Sequence, residues 1–154
     1  MDAKDEQFAL ASHALGATGV TLSELACGCS RIGNPHGSVS EQDAQETVAA
    51  ALHVGIRYFD VAPLYANGLG EARLGHALRA IPRDSYALST TVGRYYLPAP
   101  PDAAPQPQVL PFSPHYDYSY DGAMRSVEQS LLRLGTNRLD FEWAATLAGP
   151  LLTS

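Results

Sequence analysis

The chain has 154 residues, 45% hydrophobic and 17% charged, with a formal net charge of −6. That length suits one domain. A pI near 5.2 excludes the basic face that phosphate binding needs, and with it nucleic acid as a partner. No run approaches the ~20 apolar residues of a membrane span, and the acidic start MDAKDEQFALASH has no apolar signal region. The expectation is a cytoplasmic protein with no membrane partner.

Residues 1–14 read as a mobile tail. Residues 20–22 suggest part of a leading hairpin, and 25–30 (LACGCS) a short apolar strand. Cys27 and Cys29 are spaced i, i+2, not as the C-x-x-C of redox or zinc sites, and in a strand they share one face. They read as two small core residues. Ser40 is a candidate N-cap, followed by Glu41, Asp43 and Glu46 where acids complement the helix dipole. Ala44, Val48, Ala51 and Leu52 recur at helical spacing until Gly55 ends the helix. A strand is predicted over 56–61 (IRYFDV), a helix over 71–79 with Pro82 beyond it, and a third strand over 86–90 (YALST).

Seven prolines then fall between residues 98 and 114, a density that predicts a long loop. The pattern resumes at Asp121, a candidate N-cap. Met124, Val127, Leu131 and Leu134 fall on one helical face, Gly135 stops it, and 138–143 is a fourth strand candidate. Alternating strands and helices imply a parallel sheet with right-handed crossovers. About four strands are present, where a closed (β/α)8 barrel has eight. The fold class is therefore α/β, with about half the strands of such a barrel. Residues 15–143 form the partial barrel, with a Pro-rich loop over 98–114 and a distinct tail over 144–154.

The segment GIRYFDVAPLYANGLGEARLGHALRAIPRDSYALSTTVGR, residues 55–94, resembles the aldo/keto reductase family. The family pattern there is a strand ending D-T-A-x-x-Y-G, then G-x-S-E and a helix, then a strand ending S-T-K-V-G-R. LGATGVTLSELACGCSRIGN upstream resembles the family's opening hairpin and first strand. YDYSYDGAMRSVEQSLLRLGTNRLD downstream is similar to the branch that oxidises aldoses such as fucose at C1, or pyridoxal.

The resemblance implies that the chain is the N-terminal half of a (β/α)8 TIM barrel that uses NADP or NAD to move a hydride between nicotinamide and a carbonyl or alcohol, with a small-molecule carbonyl or aldose as substrate. It implies four catalytic residues. The aspartate falls on Asp60 and the tyrosine on Tyr65, while the lysine position is Thr91. The histidine would lie near Ala145, where the pattern is already lost. His36 in GNPHG and His115 in SPHYDYSYD are candidates for the substrate pocket; His13, His53 and His76 read as surface or satisfied residues. G-x-G at Gly68 and Gly70 is not a dinucleotide fingerprint, because the rest of that pattern is missing.

The departures matter chemically. A tyrosine that exchanges a proton with a substrate oxygen works best with a pKa below its ordinary value near 10. In the family the lysine cation lowers it and the aspartate holds the lysine. Thr91 carries no charge, and the chain's single lysine, Lys4, lies in the tail. An uncompensated carboxylate beside Tyr65 should raise the phenol pKa. Val61 stands for the family's threonine, Ala66 for the glycine after the tyrosine, and Gly70 for a serine expected to cap a helix beginning at Glu71. The expectation is a truncated, inactive chain of this oxidoreductase family that does not bind the cofactor alone. The alternative is a non-catalytic half-barrel that binds a partner chain or small molecule. Open sheet edges favour self-association.

Overall fold

In a computed structural model of the chain, the structure describes residues 10–33, 39–104, 106 and 109–144. The elements in chain order are β1 (Ser12–Ala14), β2 (Thr21–Ser23), β3 (Cys27–Gly28), α1 (Glu41–His53), β4 (Tyr58–Asp60), α2 (Leu69–Leu78), β5 (Ala87–Val92), β6 (Arg94–Pro98), β7 (Phe112–Tyr116), α3 (Tyr120–Leu134) and β8 (Phe141–Ala144). β3, β4, β5 and β8 form one parallel four-stranded sheet in that order. The helices link its strands, as parallel pairing requires. The hairpin β1–β2 extends the ordered fold back to Ser12, into what the sequence reading counts as tail.

One face of the sheet is closed by the helices. Phe59, Val61 and Leu88 are buried there against Ala44, Val48 and Ala51 of α1, Leu74 and Leu78 of α2, and Leu134 of α3. Side chains two apart on a strand share a face, so Tyr58, Asp60, Ser89, Thr91, Phe141 and Trp143 line the other one. Among the described residues no helix covers it, and Trp143 is 53% exposed. Tyr58, Phe141 and Trp143 form an aromatic row with ring centroids 5.2 and 5.8 Å apart.

The helix ends follow the local chemistry. Ser40 caps α1 and Asp43 returns the bond to the Ser40 backbone, closing a capping box that holds the Asp43 carboxyl below its ordinary value. α2 begins two residues earlier than expected. Its N-cap is Gly68, left-handed at φ 97°, with no side-chain cap bond. Gly70 therefore sits inside the first turn, not at a cap. α3 is capped by Ser119, whose hydroxyl accepts from the Gly122 N–H; Asp121 lies one position inside the helix.

Two further expectations are corrected. α3 buries Gly122, Ser126, Ser130 and Leu134, while Met124 is 41% exposed. Small hydroxyl residues form the buried stripe because Ser126 donates to the Arg94 carbonyl and Arg133 reaches Ser130. The described part of 99–111 in the Pro-rich segment is a loop, but the segment's two ends pair as the antiparallel ribbon β6–β7. Pro98 and Pro114 are tolerated because each strand of a two-stranded ribbon has a free edge.

Candidate active site

Asp60 closes β4 at the C-terminal end of the sheet, opposite Ser89 of β5. Ser89 is fully buried, and its Oγ donates to Asp60 Oδ1 over 2.5 Å and lies 3.1 Å from the Tyr58 hydroxyl. Among the described residues Asp60 makes no ion pair, and the Ser89 hydroxyl is its one side-chain partner. Ser89 and Tyr58 are the site residues that sequence reasoning missed. The i, i+2 spacing of Tyr58 with Asp60 and of Ser89 with Thr91 was available, but only the strand register brings the two pairs together.

Tyr65 sits in the loop that leads from β4 into α2. Its backbone is pinned at both ends, since its N–H donates to the Ala62 carbonyl and its own carbonyl accepts from Gly70. A Cβ at Gly33 would come within 2.3 Å of Tyr65 Cβ, and one at Gly70 within 2.9 Å, so both glycines make room for this residue. The chain then turns through three left-handed residues, Ala66 at φ 53°, Asn67 at φ 55° and Gly68. The Asn67 side chain anchors the turn by donating to the carbonyls of Leu110 and Phe112. The Tyr65 phenol is pushed above its ordinary pKa by burial first, then by the negative charge of Asp60 and by Cys29. Among the described residues no cation opposes that shift.

Thr91, half-buried, lies two residues beyond Ser89 on the same face, in register with Trp143. It offers a hydroxyl and no charge. Arg94, three residues on, stacks its guanidinium on the Tyr116 ring at 4.6 Å. His115 lies on β7, exposed, with its ring 4.8 Å from that of Tyr95. His36, Lys4 and Ala145 lie outside the described residues. Of the other histidines, the His76 ring meets the Glu41 carboxylate at 3.2 Å, whereas His13 and His53 are exposed.

The helix face supports this arrangement. Glu71 is fully buried at the start of α2, where it accepts from Thr90 Oγ1 over 2.8 Å and from Arg133 Nε over 2.5 Å. One carboxylate thus ties α2, β5 and α3 together directly behind Asp60 and Ser89. A cavity of about 390 Å³, lined by Val20, Arg57, Asp84, Tyr86 and Arg138 among others, lies at the N-terminal ends of the strands, away from Asp60.

The model of the aldo/keto reductase family matches residues 24–144. The chain is 39% identical over 140 residues to pyridoxal 4-dehydrogenase of Microbacterium luteolum, covering 83% of this chain and 41% of that protein. It is 34% identical over 135 residues to D-threo-aldose 1-dehydrogenase of a Pseudomonas species, covering 82% of this chain and 41% of the relative. Against a solved aldo-keto reductase from Pseudomonas aeruginosa the TM-score is 0.71 at 26% identity, over 98% of this chain and 52% of that one. The chain thus spans about two fifths of the length of the curated relatives it matches.

Proposed function

The chain belongs to the aldo/keto reductase family, and from that premise we propose that it keeps the aspartate and tyrosine of a hydride-transfer site, Asp60 and Tyr65, without the cation that would make the tyrosine an acid–base group. Its four parallel strands make a partial (β/α)8 barrel. On this reading the barrel is of the aldose 1-dehydrogenase type, acting at a sugar C1 or a related carbonyl, and these 154 residues alone do not turn over.

The observation that carries the reading is the partner of Asp60. The family pattern asks for a serine and, two residues on, a lysine held by the aspartate; here the serine, Ser89, donates to the carboxylate, but the lysine position is Thr91, and Asp60 has no ion-pair partner among the described residues. Burial first, and then the charge of Asp60, raise the Tyr65 phenol away from physiological pH, when proton exchange with an alcohol or carbonyl oxygen calls for the opposite. General acid–base catalysis contributes typically about 10²–10⁴-fold, and this is the part the present residues do not supply.

NADP or NAD is the cofactor the family implies. When bound, it accepts or donates the hydride. Its phosphates need cations or convergent backbone N–H groups. The end of the sheet that carries Asp60 offers a carboxylate, a phenol and hydroxyls, and Arg94 is engaged on Tyr116. These residues do not fit a dinucleotide by themselves. The test is titration of the chain with NADPH and NADH, followed by nicotinamide fluorescence and calorimetry. Binding no tighter than millimolar is expected, and micromolar affinity for either would contradict the reading.

A further inference from the structure

Two thiols outside that chemistry sit side by side where β3 ends. Cys29 is buried, 1% exposed, and its Sγ lies 3.5 Å from the Cys27 carbonyl oxygen. Cys27 is half-buried on a strand that pairs with β4 alone among the described residues. Both side chains point to the helix side of the sheet, as i, i+2 residues of an extended segment must. Gly28 between them is exposed, and a Cβ added there would meet nothing within 4 Å. We propose that Cys27 and Cys29 form an intramolecular dithiol that peroxides oxidise to a disulfide.

The Cα spacing is inside the range of a disulfide, and the Cβ spacing requires the backbone to move. Residues i and i+2 of a strand have Cα atoms about 6.6 Å apart, and disulfides span about 4.4–6.8 Å between Cα atoms. The Cβ atoms, about as far apart as the Cα atoms on an extended segment, must close to about 3.5–4.5 Å, so the bond forms only as the chain bends at this point. Gly28 is where such a bend costs least, having no side chain and open space beside it. The bond that resists it is the Cys29 N–H to the Asp60 carbonyl, 2.7 Å. The resulting disulfide is strained, and strained disulfides are the readily reduced ones.

The two thiols divide the work. A hydrogen bond from Cys29 lowers the Cys27 thiol to about 7 against the opposing effect of burial. The Cys29 thiol is pushed up by its hydrogen bond to Cys27, then by burial and by the charges of Cys27 and Asp60. Cys27 is thus the nucleophile, since the thiolate is the reactive form. Its sulfur attacks one peroxide oxygen. An S–O bond forms, the O–O bond breaks, and the leaving oxygen departs as water after taking up a proton. Cys29 then attacks the sulfenic sulfur of Cys27. The S–S bond forms, the S–O bond breaks, and hydroxide leaves with the Cys29 proton as a second water. Two thiols lose two electrons to one peroxide, which is reduced to two waters.

The experiment uses the whole chain. It is treated with stoichiometric hydrogen peroxide, then denatured and alkylated with iodoacetamide. The tryptic peptide 5–31, which holds both thiols and no methionine, is weighed. The expected peptide is lighter than the reduced form by two hydrogens, carries no alkyl group, and takes up two after reduction with dithiothreitol. In Cys29→Ser the Cys27 sulfenic acid should persist and be trapped by dimedone, and in Cys27→Ser the Cys29 thiol should survive peroxide and alkylate. Should either variant fail to fold, the wild-type peptide decides alone. Two alkylated thiols after peroxide, a sulfur-linked dimer, or a lasting Cys27 sulfenic acid in the wild-type chain would each overturn the proposal.

Discussion

The Ser89 hydroxyl donates to the Asp60 carboxylate over 2.5 Å, across two neighbouring parallel strands, and the same oxygen meets the Tyr58 phenol at 3.1 Å. This buried hydroxyl is the one side-chain partner of the carboxylate among the described residues. Removing it leaves Asp60 and Tyr58 without their shared partner. Ser89→Ala should cost about 1.5–3 kcal/mol, the range for hydrogen bonds to charged groups, read as a fall in the urea midpoint at unchanged slope. Because the two residues act on one interaction, Ser89→Ala combined with Asp60→Asn should cost much less than the sum of the single changes. An additive double variant would show that the bond contributes little.

The Tyr65 phenol, raised by burial and then by Asp60, should titrate above its ordinary value. The difference in phenolate absorbance between the wild-type chain and Tyr65→Phe isolates it from the other tyrosines. Its midpoint should lie above about 10. Asp60→Asn should move that midpoint down without restoring the ordinary value, since burial is the larger cause. The folded pKa is raised, so the associated stability is complete below the unfolded value and is lost as pH climbs through the folded one. A midpoint at or below 10 would mean that a cation reaches the phenol.

Ala66 holds φ at 53° directly after Tyr65. A left-handed conformation costs an L-residue roughly 1–2 kcal/mol, which glycine escapes at the expense of greater freedom in the unfolded chain. The net expectation for Ala66→Gly is stabilisation by about 0.5–1 kcal/mol, measured by chemical denaturation. A loss of stability would show that the turn relaxes in solution.

Much of this was legible from residues alone. The alternation of apolar strands and amphipathic helices gave the parallel sheet, and Ser40 with Asp43 announced the start of α1. Asp60 at the end of an apolar run announced the end of its strand. What was not legible depended on contacts between distant segments. Ser89 read as an ordinary strand residue until register set it beside Asp60. The ribbon β6–β7 was hidden because proline density argues against central strands and says nothing against an isolated pair. The buried serines of α3 defeated a reading that looks for apolar periodicity, since their partners, the Arg94 carbonyl and Arg133, lie on another strand and on the same helix. The half-exposed state of Cys27 was equally invisible, because a core strand and an edge strand share one composition.

The central claim is that the missing cation at position 91 disables proton transfer, on top of what the rest of a barrel would supply. The direct measurement is a two-by-two comparison of aldose oxidation with NAD and NADP. Its four proteins are the chain itself, Thr91→Lys, residues 15–140 fused to the C-terminal half of an active relative, and that fusion carrying Thr91→Lys. Acid–base assistance is realised only once cofactor and substrate are positioned. Substantial turnover is therefore predicted only for the last protein, with the Thr91 fusion lower by at least about a hundredfold. Equal activity of the two fusions would contradict the account of the cation, and turnover by the unfused Thr91→Lys chain would contradict the account of the missing positioning.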